Sequence, residues 1–257
     1  MDISSWDGTL SPNDYCVAAH AFSERWKQCN SASPPWFWVN SKKRPFLTQQ
    51  VDGFLSLEKI CLIKPIEDNH EELSSTEEED TGFSEITAGI DDATLVHNNQ
   101  HQAHFYDFHI VYSASYKVPV LYFRGYCSDG RPLLLDEIEM DLPTCSSKVL
   151  LESKWTFITQ EEHPWLNRPW YKLHPCGTSE WMKLLFLGDA AMAEKRIQLY
   201  LVSWFSVVGQ VVGLRTPMEM VHDYKVICDF DCNALGLKNK MNMSTIYFCN
   251  FFIQQPF

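Results

Sequence analysis

The stretch WYKLHPCGTSEWM, from Trp170 to Met182, sets a histidine, a proline, a cysteine and a glycine between two apolar flanks. Cys176 admits three uses there: a small buried hydrophobe, a metal ligand, or a nucleophile. The last follows because a thioester formed on a thiolate stays activated toward amines. Pro175 fixes its own φ and Gly177 opens backbone geometry closed to other residues. Cys176 is therefore expected where a strand ends and the chain turns outward, which exposes the sulfur. His174, two positions earlier, falls on the same face of an extended chain and can serve as a base or as a support for the turn. His163, in EEHPWLNRP, is a second imidazole to weigh as a partner, although a histidine beside a proline turn reads first as a surface or capping residue. The distant histidine and orienting third group of a cysteine protease are not visible. Cys228 and Cys232 form the only close cysteine pair. They lack the second pair or spaced histidines that a structural zinc site needs, so no metal is expected.

These groups need a frame. Ser11-Pro12 marks a helix start, and Tyr15, Ala18, Ala19, Phe22 and Trp26 follow as one apolar stripe at helical spacing, suited to packing on a sheet. Trp36 to Val39 and Phe54 to Ile63 read as strands, the second opened by Asp52-Gly53. Phe105 to Tyr112 and Val118 to Tyr126, separated by a short polar connection at Ser113 to Lys117, read as an antiparallel hairpin whose second strand ends at Asp129-Gly130, with Pro119 at a strand start or on an edge. RPLLLDEIE reads as a short strand, and Cys145 to Pro164 as a connection of mixed polarity. Ile197 to Leu214 is uncharged over eighteen positions, near the lower limit for a membrane span. Its Gln, Ser and Gly residues and the lack of anchoring flanks predict a buried core helix instead.

The formal charge of -12 is concentrated in one place. Between Glu67 and Asp92 lie eleven acidic residues and no Lys or Arg, which leaves the rest of the chain at -1. No basic groove for nucleic acid and no polybasic membrane patch is indicated. From Pro65 to about His104 large apolar residues are scarce, and the segment is expected to be a disordered acidic insertion. Nine scattered cysteines fit reduced thiols rather than a disulfide framework. The amino terminus lacks a targeting pattern; the expected location is the cytoplasm, without membrane insertion. No glycine-rich phosphate loop appears, so nucleotide chemistry is not expected.

Three segments carry a family resemblance: DFHIVYSASYKVPVLYFRGYCSDGRPL, ITQEEHPWLNRPWYKLHPCGTSEWM and YLVSWFSVVGQVVGL, in this order. Together they resemble the autophagy-related protein 10 family of ubiquitin-like conjugating enzymes. The resemblance spans about residues 11 to 224, within a catalytic domain taken as 1–224, and leaves 225–257 as an atypical tail. It implies an α+β, ubiquitin-conjugating-enzyme-like fold with an antiparallel sheet flanked by helices. It also implies a transferase that needs no metal or organic cofactor. The modifier, autophagy-related protein 12, would arrive from the activating enzyme, autophagy-related protein 7, and go to a lysine of autophagy-related protein 5. The resemblance places the thioester on Cys176, Tyr116 near it as a supporting group, and His174 two positions before it. Transfer chemistry asks for hydrogen-bond donors near the developing oxyanion and a water-poor surround; Tyr116 and His174 can donate, while Trp170, Tyr171 and Trp181 exclude water or simply form core. Two alternatives stay open, the sister lipid-conjugating activity and a catalytically inactive binding module on the same fold.

Overall fold

The computed structural model describes residues 6–31, 33–40, 51–62, 103–143, 146, 158–187 and 195–222. Most of the acidic insertion, the tail 225–257 and the Cys228/Cys232 pair lie outside them, although His104, placed at the insertion's end, opens a strand.

Helix α1 runs Pro12–Cys29. The Ser11 hydroxyl accepts the Asp14 N–H at 3.1 Å while the Asp14 carboxylate faces the Ser11 N–H, a capping box that satisfies orphan donors of the first turn. Every residue of the expected stripe is buried. Phe22 and Trp26 lie one turn apart on the same face. They meet Phe205 at ring-centroid distances of 5.3 Å and 5.7 Å, which docks α1 onto the long helix α4, Arg196–Val211. Helix α4 is the buried core helix expected, and among the described residues no helix is long and apolar enough to cross a membrane.

Among the described residues six antiparallel strands form one sheet in the order β1-β2-β3-β4-β6-β5. They are β1 Phe37–Asn40, β2 Gly53–Cys61, β3 His104–Ser113, β4 Val118–Cys127, β5 Ile158–Glu162 and β6 Pro169–Leu173. Pro119 pairs with Tyr112 at the start of β4, beyond the part that β6 joins at Tyr122 and Phe123, so its missing donor costs no ladder bond. Side chains alternate across the sheet. Leu55, Phe108, Ile110, Leu121, Phe123 and Leu173 face α1 and α4 in the main core. Phe54, Val111, Val120, Tyr122 and Trp170 form a second cluster on the opposite face, roofed by Trp165 and Leu166 from the β5–β6 loop. Both faces are buried at the sheet's centre, which explains the near-continuous apolar runs of β3 and β4.

Two expectations need correction. RPLLLDEIE is not a strand: Pro132 makes a single bridge to Tyr126, and the chain then enters helix α2, Leu135–Asp141. The Glu137 carboxylate accepts the Leu134 N–H at 2.8 Å and also holds Arg131. Ile138 and Leu142 bury one helical face, so capping and a helical period prevail over the leucine run. The connection before His163 contains β5, a sheet edge whose pairing with β6 runs from Ile158–Leu173 to Glu162–Pro169.

Candidate active site

The carboxyl end of β6 delivers the candidate nucleophile. After Leu173 the chain leaves the sheet through His174-Pro175, turns at Gly177 with φ of 72°, and enters helix α3, Thr178–Leu187. A residue without a Cβ takes that backbone angle at the least cost. The Thr178 N–H bonds to the Pro175 carbonyl at 3.2 Å and the Trp181 N–H to the Gly177 carbonyl at 3.1 Å, so the turn closes directly into the helix. Cys176 sits on that turn, half-buried, with its thiol free.

His174 contacts Cys176 through the main chain. Its Nδ1 accepts the Cys176 N–H at 3.2 Å, so the imidazole caps the turn. Burial depresses the His174 pKa and the Lys172 ammonium depresses it further, against an opposing pull from Glu161; the ring is therefore neutral and able to accept. Lys172 is itself paired with Glu161 at 2.7 Å. The edge of the ring meets Tyr116, with centroids 6.0 Å apart and planes at 77°. Tyr116 projects from the β3–β4 connection, where its N–H reaches the Ser113 hydroxyl at 3.3 Å and Lys117 takes φ of 53°. At 46% exposure its ring stands open to an incoming molecule. The three residues singled out in the sequence, Cys176, His174 and Tyr116, thus lie together although Tyr116 is far from the other two along the chain.

The Cys176 thiol has a raised pKa. Burial is the main cause and the Glu180 carboxylate adds to it, while a hydrogen bond from its own main chain pulls the other way. Glu180, in the first turn of α3, is a residue the sequence reading missed; its place four positions after the cysteine on a helix start was the available signal.

His163 is brought elsewhere. It is fully buried on the second face of the sheet, and its ring packs against Phe54, Tyr122 and Trp170. Its Nδ1 accepts the Trp165 N–H at 3.2 Å. The neutral ring therefore carries its proton on Nε2 and donates to His109 Nδ1 at 3.0 Å. The capping role holds and the surface position does not. A polar ring accepts burial when each nitrogen finds a partner, and one partner here comes from β3, distant in sequence. Trp170 and Tyr171 are buried core, and Trp181 is partly buried against it.

Residues 14–219 match the family described as "Autophagocytosis associated protein, active-site domain". The "Ubiquitin-like-conjugating enzyme ATG10" of Arabidopsis thaliana is 55% identical over 218 residues, or 84% of this chain and 96% of that protein. The chain belongs to the ATG10 family. The Homo sapiens ATG10 enzyme is 46% identical over 114 residues, covering 44% of this chain and 51% of its own length. "Autophagy-related protein 3" of Pichia angusta is more distant, at 31% over 117 residues, 44% of this chain and 32% of that protein. A crystal structure of the autophagic E2 Atg10 aligns with 80% of this chain and 98% of its own at 17% identity and a TM-score of 0.40; the assignment rests on the sequence matches. As an ATG10 family member the chain is a ubiquitin-like conjugating transferase of autophagy.

Proposed function

We propose that Cys176 receives the carboxyl end of autophagy-related protein 12 from the activating enzyme, autophagy-related protein 7, and passes it to a lysine of autophagy-related protein 5. In the first step the Cys176 sulfur attacks the carbonyl carbon of the incoming thioester, and the activating enzyme's thiolate leaves. In the second the lysine amine attacks the same carbon, the C–S bond breaks, an amide forms, and the amine's proton passes to solvent. The reading is carried by the arrangement at the end of β6: a half-exposed thiol on a glycine turn, its N–H held by His174, with Tyr116 open beside that imidazole. A free thiol with a raised pKa fits an enzyme charged only when docked, where the partner supplies the driving force for proton loss. Tyr116 is assigned a supporting role as a hydrogen-bond donor during attack, and His174 the role of holding the turn. ATP enters only through the activating enzyme.

Reconstitution with activating enzyme, modifier and ATP tests this. A reductant-sensitive adduct of the modifier is expected on this chain, followed by a reductant-resistant conjugate when the acceptor is added. No adduct would make the chain a binding module on the same fold. Transfer to the headgroup amine of phosphatidylethanolamine vesicles in preference to the acceptor lysine would make it the lipid-conjugating sister.

A further inference from the structure

A half-exposed ring contact, Tyr116 on His174 at 6.0 Å, joins the turn that carries Tyr116 to the turn that carries Cys176. A second connection runs through the segment Trp6–Leu10, which crosses both. At one end the Leu10 N–H bonds to the carbonyl of Lys117, the neighbour of Tyr116, at 2.8 Å, and the Leu10 carbonyl accepts the Tyr112 hydroxyl at 2.8 Å. In the middle Gly8, with φ of 83°, lies against the first turn of α3: a Cβ there would stand 1.8 Å from the carbonyl oxygen of Ser179, three residues after Cys176. The Gly8 carbonyl is in turn held by the fully buried Tyr200 hydroxyl at 2.8 Å. At the far end the Trp6 ring is clamped between Phe186 of α3 and Tyr200 of α4, with the Arg196 guanidinium over it at 4.6 Å.

We propose that residues Trp6–Leu10 form a positioning strap that fixes the separation between the Tyr116 turn and the Cys176 turn, with Gly8 as its gauge against Ser179 and Tyr200 as its anchor. The physical reason lies in the contacts at each end. A main-chain bond at Lys117 and a close main-chain approach at Ser179 are short and directional, whereas a half-exposed ring edge is soft. Any side chain at Gly8 must adopt an unfavourable φ and drive the Ser179 carbonyl back by more than an ångström, and helix α3 would carry Glu180 and the Cys176 turn with it. Misplacement on that scale far from the reacting atoms is enough to slow a step that depends on alignment.

The roles of Tyr116 and Cys176 here rest on the proposed function, so the test includes a readout that needs no modifier. In the full chain, Gly8→Ala and the milder Tyr200→Phe are compared with wild type. Expected is a change of about threefold or more in the iodoacetamide alkylation rate of Cys176 relative to the exposed Cys61, read by peptide mass spectrometry. Transfer to the acceptor should slow about three- to tenfold, by more than any change in charging, and in a Tyr116→Phe background Tyr200→Phe should add little further loss of transfer. If both variants lower Tm but leave the Cys176 to Cys61 rate ratio unchanged, or if the Tyr200→Phe and Tyr116→Phe losses multiply independently, the strap is a stability element only and the inference is overturned. Should Gly8→Ala fail to fold, Tyr200→Phe decides alone. A wild-type chain that never charges overturns the functional proposal and leaves the alkylation ratio to judge the strap.

Discussion

His163-Pro164-Trp165 and His174-Pro175-Cys176 are one turn built twice, on either side of β6. In each the imidazole Nδ1 accepts the N–H two residues ahead at 3.2 Å, with a proline between. Their surroundings differ. In the first only the histidine ring is sealed, on the second face of the sheet where His163 bonds to His109, and the half-buried third residue, Trp165, roofs an apolar cluster. The second stands at the rim, where His174 meets an exposed tyrosine and the third residue is a half-buried thiol. The same local device orients the residue after the proline in both places. Both of those residues are half-buried, and what they face decides their use: Trp165 packs over an apolar cluster, while Cys176 lies at the open rim.

The largest effect is expected at the buried copy. His163→Ala removes a packed ring and orphans the Trp165 N–H and His109 Nδ1, a loss of about 2–4 kcal/mol in a denaturant titration, with charging per folded molecule retained. The exposed copy should behave in the opposite way. His174→Ala is expected to cost about 1 kcal/mol or less but to slow transfer about tenfold in single-turnover assays, and His174→Asn, whose carboxamide oxygen can accept the Cys176 N–H, should recover part of that rate. Equal stability losses at the two histidines would erase the distinction.

Acid acts on the buried copy as well. Burial lowers the pKa of both His109 and His163, the latter to about 4, below the ordinary value of 6.5. As pH falls the unfolded chain therefore takes up protons before the folded one, so stability is full above about 6.5 and declines as pH approaches 4. His163→Phe should flatten that decline in melting curves taken across the range; a decline of unchanged steepness would place its origin elsewhere. The smallest effect is electrostatic. Glu180→Gln removes a negative charge beside the thiol and should lower the Cys176 pKa. Its alkylation rate near pH 8 should then rise about two- to threefold, and an unchanged pH profile would remove Glu180 from the site.

What the sequence disclosed depended on how locally each feature was determined. Helix α1 was legible because its cap, proline and stripe lie within one segment, and the β3–β4 hairpin because β-branched and aromatic residues crowd two runs joined by a short polar connection. Helix α4 was separated from a membrane span by its Gln, Ser and Gly positions. Helix α2 was hidden by three consecutive leucines, and β5 by its polarity, since an edge strand of sequence ITQEE takes its structure from β6 rather than from its own residues. The burial of His163 was illegible for the same reason: it depends on His109 in another strand. At the site, Cys176 and His174 were legible in the sequence itself and Tyr116 by family resemblance alone. Glu180 left a local signal in its spacing from Cys176, whereas the strap at Gly8 depends on contacts that only the folded chain creates.

The adduct formed by Cys176→Ser decides which atom carries the acyl group. Charged by activating enzyme, modifier and ATP, this variant should trap the modifier as an oxygen ester that survives reductant and yields to alkali. A reductant-sensitive adduct persisting in Cys176→Ser would put the acyl group on another cysteine and contradict the assignment.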